Sequence, residues 1–487
     1  MPSCKLIIRD EVNIKFEGLP IEIRRKMSKA FQYEIPYAKY QPAYKLGRWD
    51  GMVTLFGTGG NGYMNQLPKL LNILEKEGID VTEVEDLRNP AALNFTKVTE
   101  SYWADQGKVW PKGHPDAGKP IMLRDYQVDA INLFIDNPQS LQEIATGAGK
   151  TITTATLSQL CERLGRTITI VPNKSLVEQT EEDFIVCGLD VGVYYGDRKD
   201  LNKTHTICTW QSLNILGKKS KDFEHSSLTL AEFLDGVRTV IVDEVHMAKA
   251  EVLKNLLTQN LSNACIRWGL TGTIPKEAFE SESIFASLGP VVGGISASTL
   301  QDKGVLSQCH VNVCQLVDIP EFKAYQDELK YLVTDEDRMR YLSNLIKKIS
   351  ETGNTLVLVN RIESGKFIVN EIPDSVFISG AVKTKDRKEE YDEIRTSSNK
   401  VIVATFGVAA VGINIPRIFN LVLLEPGKSF VRVIQSIGRG IRKAEDKDFV
   451  QIWDITSTCK FAKRHLTARK KFYKDASYPF TIEKIKW

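Results

Sequence analysis

The sequence predicts an α/β protein of two parallel-sheet lobes preceded by a small α+β amino-terminal module. Three observations lead there. Short β-branched runs alternate with helical segments from Met122 onward, as in doubly wound sheets. That alternation runs for roughly 365 residues, too long for one domain of the usual ~100–200 residues. The residues before it lack the pattern.

In the first segment, Lys5 to Phe16 alternates as a strand does, and Pro20 to Tyr33 has helical spacing, with Pro20 suited to a first turn. Trp49 to Phe56 reads as another strand, Gly57 to Gly62 as a turn, and Leu67 to Lys76 as a helix stopped by Gly78. These elements form the module, residues 1–105. The stretch WADQGKVWPKGHPDAGKP is rich in Pro, Gly and polar residues, which places a linker at 106–121. Beyond it, ITIV (168–171), VIVD (240–243), LVLV (356–359), VIVA (401–404) and LVLL (421–424) are near-continuous apolar runs, as strands covered on both faces require. Ile319 to Ser350 is charged and helical in pattern, so the lobes divide as 122–310 and 311–455. A basic extension follows at 456–487.

Composition narrows the class. A charge of +3 on 487 residues excludes a uniformly basic coat protein. No apolar stretch approaches the ~20 residues of a membrane span, and MPSCKLIIRDEVNIKF lacks a signal peptide's apolar core. A soluble, cytoplasmic protein is expected. The eight cysteines stand singly with no C-x-x-C pair, so neither a zinc site nor a disulfide framework is expected. The near-neutral total conceals an uneven distribution: +5 over residues 1–48, −12 over 49–378 and +10 over 379–487. Basic excess at both ends is where a salt-sensitive nucleic-acid contact would be sought.

Three clusters carry chemistry. In IATGAGKT (144–151), Thr146, Gly147, Ala148 and Gly149 form a loop whose amides can curl around phosphate oxygens. Lys150 can reach the outer phosphates and the Thr151 hydroxyl can hold Mg2+. The strict pattern has Gly where Ile144 stands, and a Gly-rich turn before an ordinary helix is the alternative. VIVDEVH (240–246) ends a predicted strand, where open sheets place ligands. There Asp243 suits the metal and Glu244 the proton of the attacking water; a solvated acidic turn would also fit. In QSIGRGIRK (435–443), Arg439 and Arg442 lie three apart on one helical face and suit a γ-phosphate, or a plain basic surface.

Together these clusters resemble the superfamily 2 helicases and translocases, over residues ~122 to ~455 and in the family's order. LRDYQVDAI (123–131) resembles the Q motif, which implies Arg124 and Gln127 as adenine-side contacts of ATP. IATGAGKT resembles motif I and DEVH motif II. VPNKSLVEQ and TWQSL resemble motifs Ia and Ib, and LVNR and ATFGVAAVGINIP motifs IV and V. From these the resemblance implies nucleic-acid contacts at Pro172, Asn173, Lys174, Thr209, Trp210, Gln211, Asn360, Arg361 and Thr405. TGT (271–273) resembles motif III and QSIGRGIR motif VI. His246, Thr271, Gly272 and Thr273 would couple hydrolysis to the track, and Gly412 and Gln435 would complete the nucleotide site beside catalytic Lys150, Glu244, Arg439 and Arg442. The fold implied is two RecA-like lobes using ATP and Mg2+.

DEVH in place of DEAD points away from the DEAD-box RNA helicases and toward DNA. GRWDG (47–51), followed by MVTLF, and WDI (453–455) are similar to elements of phage recombination helicases. That likeness implies unwinding and branch migration of forked or four-way DNA in recombination and fork repair, in the host cytoplasm, with branched duplex DNA as partner; a monomer is the working expectation, since the sequence does not fix the oligomeric state. Phe16, Phe31, Tyr33, Tyr37, Tyr40 and Tyr44 lie among basic residues, where rings can stack bases or fill a core; Trp49 can anchor its strand. CKFAKRHLTARKKFYK (459–474) has seven Lys or Arg and no acid, and reads as a DNA-contacting extension or a solvated tail. The alternatives are a duplex translocase or RNA helicase without junction preference, and a non-catalytic nucleic-acid scaffold.

Overall fold

The computed structural model describes residues 2–89, 91–112, 114, 116–219, 228–247, 250–378, 397–408, 417–429, 433, 436–438, 440–444 and 446–487. The chain forms two compact units: Met1–Ile144 with Gly149–Gly294, and Ala145–Ala148 with Ile295–Trp487. Among the described residues no helix is long and apolar enough to cross a membrane.

The module sits within the first unit. The single strand expected from Lys5 to Phe16 is instead a hairpin of β1 (Ser3–Ile8) and β2 (Asn13–Glu17). Asp10 turns it, its Oδ1 accepting the backbone N–H groups of Val12 and Asn13 at 2.9 and 2.7 Å. After α1 (Ile21–Ala30), β3 (Gln32–Glu34) and β4 (Met52–Thr54) pair with each other. β5 (Asn61–Tyr63), α2 (Leu67–Lys76) and β6 (Asp80–Asp86) complete a sheet ordered β5-β2-β1-β6. Apolar positions of α1 and α2, Met27, Leu70 and Leu74, close over Leu6, Ile14 and Phe16. Phe16 and Phe31 are core residues, whereas Tyr37, Tyr40 and Tyr44 are exposed. The module is bonded to the rest of its unit: Asn13 Nδ2 donates to the Thr258 carbonyl at 2.7 Å and Gln139 Nε2 to the Glu11 carbonyl at 2.8 Å.

The stretch expected to be a linker, 106–121, is largely exposed but anchored at its ends: Trp103, just before it, is fully buried with its indole N–H reaching Thr156 Oγ1 at 2.9 Å, Val109 bridges Pro120, and Ile121 is buried. Pro and Gly set its irregular path, and Trp110 stacks on His114 within it, with centroids 4.0 Å apart.

The first unit's large sheet uses β7 (Gln139–Ile144), β8 (Arg166–Val171), β9 (Val191–Tyr195), β10 (Arg198–Lys199), β11 (His205–Thr209), β12 (Val237–Asp243), β13 (Ile266–Thr271) and β14 (Val291–Ile295). Their order is β10-β9-β11-β8-β12-β13-β7-β14, with β9 and β10 antiparallel. Helices α3 (Asp125–Asp136), α4 (Lys150–Leu160), α5 (Lys174–Val186) and α6 (Ala278–Leu288) belong to the same unit. The central strands β8 and β12 are almost wholly buried, so their apolar runs do not alternate.

The second unit's sheet runs β17-β18-β16-β19-β20-β15-β21, from β15 (Gln308–Leu316), β16 (Thr355–Val359), β17 (Val376–Ile378), β18 (Val401–Thr405), β19 (Asn420–Leu424), β20 (Phe449–Ser457) and β21 (Phe480–Ile485). All its pairings are parallel. Its helices include α7 (Tyr325–Thr334), α8 (Glu336–Ser350), α9 (Ile362–Glu371) and α10 (Lys460–Asp475). The basic extension is part of this fold. β21 pairs with β15, and α10 buries Ala462, Leu466, Arg469 and Tyr473, a stripe at helical spacing. Arg469 meets Asp454 through two bonds of 2.8 and 2.9 Å, and the Tyr473 hydroxyl donates to the same carboxylate at 2.7 Å. The stripe escapes a hydropathy reading because one of its members is an arginine neutralised by a buried aspartate.

Candidate nucleotide and nucleic-acid sites

β7 ends at Ile144 and α4 begins at Lys150, so the phosphate-loop sequence is a strand-to-helix turn. Gly147 and Gly149 hold φ of +90° and +79°, conformations that side chains rarely adopt. A Cβ at Gly149 would lie 2.6 Å from Gln127 Nε2, and one at Gly147 would lie 2.8 Å from Leu306. Gln127 is buried. Its Nε2 donates to the Gly149 carbonyl at 3.3 Å and its Oε1 accepts the Arg124 N–H at 2.9 Å, joining Arg124 and Gln127 to the loop. Thr151 hydrogen-bonds Asp183 of α5, a carboxylate that burial pushes above its usual range.

Lys150 Nζ donates to Glu244 Oε1 at 2.7 Å and to the Ile144 carbonyl at 3.3 Å. Glu244 follows Asp243 at the end of β12 with φ +50°, a left-handed conformation that costs a non-glycine residue about 1–3 kcal/mol. β13 lies beside β12, which brings the TGT turn against Glu244. The Gly272 N–H donates to Glu244 Oε2 at 3.3 Å. The Thr271 hydroxyl donates to the Thr273 carbonyl at 2.8 Å, so its contact with His246 Nδ1 at 2.6 Å is accepted from an Nδ1–H. His246 Nδ1 is 3.6 Å from Glu244 Oε2.

Electrostatics separate the two neighbouring acids. Burial pushes Asp243 above the usual carboxylate range, with Lys150 pulling against it. Burial would raise Glu244 too, but Lys150, His246 and the Gly272 N–H outweigh it and hold the carboxyl below that range. Glu244 is therefore an ionised carboxylate occupied by the Lys150 ammonium. An anion that draws Lys150 away frees a strong acceptor with Gly272 and His246 still behind it.

Parallel β8 and β11 are neighbours, so their carboxyl ends bring Pro172, Asn173 and Lys174 near Thr209, Trp210 and Gln211. Gln211 Nε2 donates to the Pro172 carbonyl at 2.9 Å, and Asn173 caps α5 by accepting the Leu176 N–H at 3.0 Å. Thr209 Oγ1 accepts the Ser212 N–H at 3.2 Å, and Lys174 is exposed beside Glu178. Asn173 Nδ2, Trp210 Nε1 and Gln211 Oε1 are buried without a hydrogen-bond partner, each at a cost of about 1–3 kcal/mol.

In the second unit Asn360 Nδ2 donates to the Glu425 carbonyl, Arg361 precedes α9 as its cap residue, and Thr405 Oγ1 accepts the Val408 N–H at 3.4 Å. Arg442 bridges Leu306. Gly412, Gln435 and Arg439 lie outside the described residues.

Two family models match, "Type III restriction enzyme, res subunit" over residues 120–276 and "Helicase conserved C-terminal domain" over 337–444. The chain belongs to superfamily 2 of the helicases. Its two helicase domains, with their likeness to DNA helicases, make it an ATP-dependent DNA helicase. It is similar to the ATP-dependent DNA helicase UvsW of Enterobacteria phage T4, at 23% identity over 470 residues, 91% of this chain and 88% of that one. The DNA 3'-5' helicase XPB of Kineococcus radiotolerans is 23% identical over 373 residues, 74% of this chain and 64% of that one. Among solved structures, the type ISP restriction-modification enzyme LlaBIII bound to DNA shares the fold with a TM-score of 0.56 at 17% identity, over 87% of this chain and 34% of that one.

Some residues around these candidate sites carry no motif signal. Asp183 is one. Lys447 is another: it is buried, and its Nζ donates to the carbonyls of Gly440 at 2.5 Å and Arg442 at 2.8 Å, tying down the backbone at Arg442. Burial, with Arg442 adding to it, lowers Lys447 to about 7. Its only sequence cue is a lysine five residues past Arg442.

Proposed function

We propose that this helicase unwinds and branch-migrates forked or four-way DNA, in recombination and replication-fork repair, with Glu244 as the base of ATP hydrolysis and the amino-terminal module engaging the junction. The observation that carries the motor reading is the Lys150–Glu244 ion pair set against Gly272, His246 and Thr271. The junction reading is supported by the extent of the likeness to UvsW, 91% of the chain, which includes residues of the module.

The residues fit a magnesium nucleotide. Gly147 and Gly149 hold positive φ with no room for a Cβ, as a backbone turn around phosphate requires, and the Lys150 ammonium, the Thr151 hydroxyl and the buried Asp243 carboxylate suit a phosphate and its metal. Lys150, Thr151 and Asp243 would hold that group, and Mg2+ would neutralise charge on the phosphates. Lys150 exchanges Glu244 for phosphate; Glu244 then takes the proton of water; Gly272 and His246 keep its carboxylate oriented. Thr271 and His246, bonded to one another, pass the change at Glu244 into the TGT turn. Asn173, the exposed Lys174, Trp210 and Gln211 are the first unit's nucleic-acid contacts in this reading, and Asn360, Arg361 and Thr405 those of the second unit.

Strand displacement on a synthetic fork tests the reading. The wild-type chain releases the strand with ATP and Mg2+ and Glu244→Gln does not, while both bind the fork. Equal displacement by Glu244→Gln would remove the assigned base.

A further inference from the structure

A cavity of about 800 Å³ lies inside the first unit, away from the nucleotide loop, within the roughly 300–1,000 Å³ of small-molecule pockets. One side is the module's segment from Ile35 to Thr54, closed on itself by the Ile35 N–H to the Gly51 carbonyl at 2.9 Å. The other side is the start of α6 and the helical stretch at 251–254. Three rings line it: Tyr37, Trp49 and Phe279. Tyr37 meets Phe279 edge-on with centroids 5.9 Å apart, and the Trp49 indole N–H is tied to the Met52 carbonyl at 3.0 Å, so two of the rings are held in place. The charged groups on the wall are Glu251, Glu280 and Lys254, with Gln41, Thr54 and Ser283 as its neutral polar ones.

We propose that this cavity receives one unpaired DNA base bearing an exocyclic amino group, guanine best. Flat aromatic walls suit any base by stacking. The carboxylates select among them. Guanine presents adjacent N1–H and N2–H donors to a carboxylate and its O6 to the Lys254 ammonium; thymine offers one N–H between two carbonyls, which carboxylates repel. Lys39, Lys45 and Arg48 stand exposed on the same segment, where they favour phosphates outside the pocket and oppose a basic peptide as its occupant. Burial together with Glu280 and Glu251 raises Tyr37, which places both carboxylates within electrostatic reach of the ring. The inference rests on the module engaging junctions and names what it would hold there: a base released from pairing at the branch point.

The experiment is fork binding by the full chain, using forks whose single unpaired branch-point nucleotide is guanine, thymine or an abasic residue. The guanine fork should bind on the order of tenfold more tightly than the abasic one, with thymine close to abasic. Tyr37→Ala and Glu251→Gln, both at exposed positions, should bring the guanine fork to the abasic level. Tight binding of all three forks without discrimination would overturn the pocket and leave the junction reading standing. No preference for any fork over linear duplex would overturn both.

Discussion

Lys150 Nζ lies 2.7 Å from Glu244 Oε1, so the phosphate-loop lysine and the predicted base neutralise each other. Both are nearly buried, with side-chain exposures of 9% and 12%. In such a pair, loss of one partner strands the other's charge, at a cost of about 3–5 kcal/mol. Lys150→Ala should therefore lower thermal stability more than the double variant Lys150→Ala/Glu244→Gln does. Melting curves of the four members of that cycle check it, and additive effects would show that the pair is not coupled.

Hydrolysis should separate the two residues' roles. Glu244→Gln should cut turnover by about 10²–10⁴-fold, the worth of a positioned general base, with nucleotide and DNA binding kept. Lys150→Ala should lose nucleotide binding itself. Fluorescent-nucleotide titration beside steady-state hydrolysis reads both.

The pH dependence of stability should report Lys447. Its ammonium is shifted down to about 7 in the folded chain, against ~10.4 unfolded. Between those values the unfolded chain binds more protons, so this residue's contribution to stability is full above the unfolded value and is lost as pH falls toward 7. Lys447→Met should flatten the rise in stability with pH over that window relative to wild type. Denaturant melts at pH 7 and pH 9 measure it; equal slopes would contradict the assignment.

The first 88 residues and the segment carrying Trp103 should behave differently on truncation. Removing residues 1–88 should spare basal hydrolysis and impair fork processing. Removing 1–105 also takes Trp103, whose indole bonds Thr156 on α4, the helix that starts at Lys150. That truncation should lower basal hydrolysis as well. Rates for the two truncations side by side decide it, and identical rates would detach Trp103 from the site.

The motifs and the deep strands were legible because both rest on local pattern: a Gly-Lys-Thr run, an acid pair, continuous β-branched residues. What escaped depends on distant partners. β7 reads QSLQEI, too polar for a buried strand, yet Ser140 donates to the Asn137 carbonyl and Gln142 to the Ala130 carbonyl, which permits their burial. In β13, Arg267 is fully buried because its guanidinium donates to the carbonyls of Ser287, Leu261 and Leu257. The same holds for Arg469 in α10, where charge hid a packed face. The contact between His246 and Thr271 rests on β12 and β13 lying side by side, and only family resemblance pointed to those two residues together.

The central claim is that hydrolysis serves branched DNA. Its most direct test is steady-state ATP hydrolysis by the full chain against a panel of forked DNA, four-way junction, linear duplex and single-stranded RNA at one ionic strength. The account predicts the greatest stimulation with fork and junction, abolished in Glu244→Gln; strongest stimulation by single-stranded RNA, or equal stimulation by linear duplex, would contradict it.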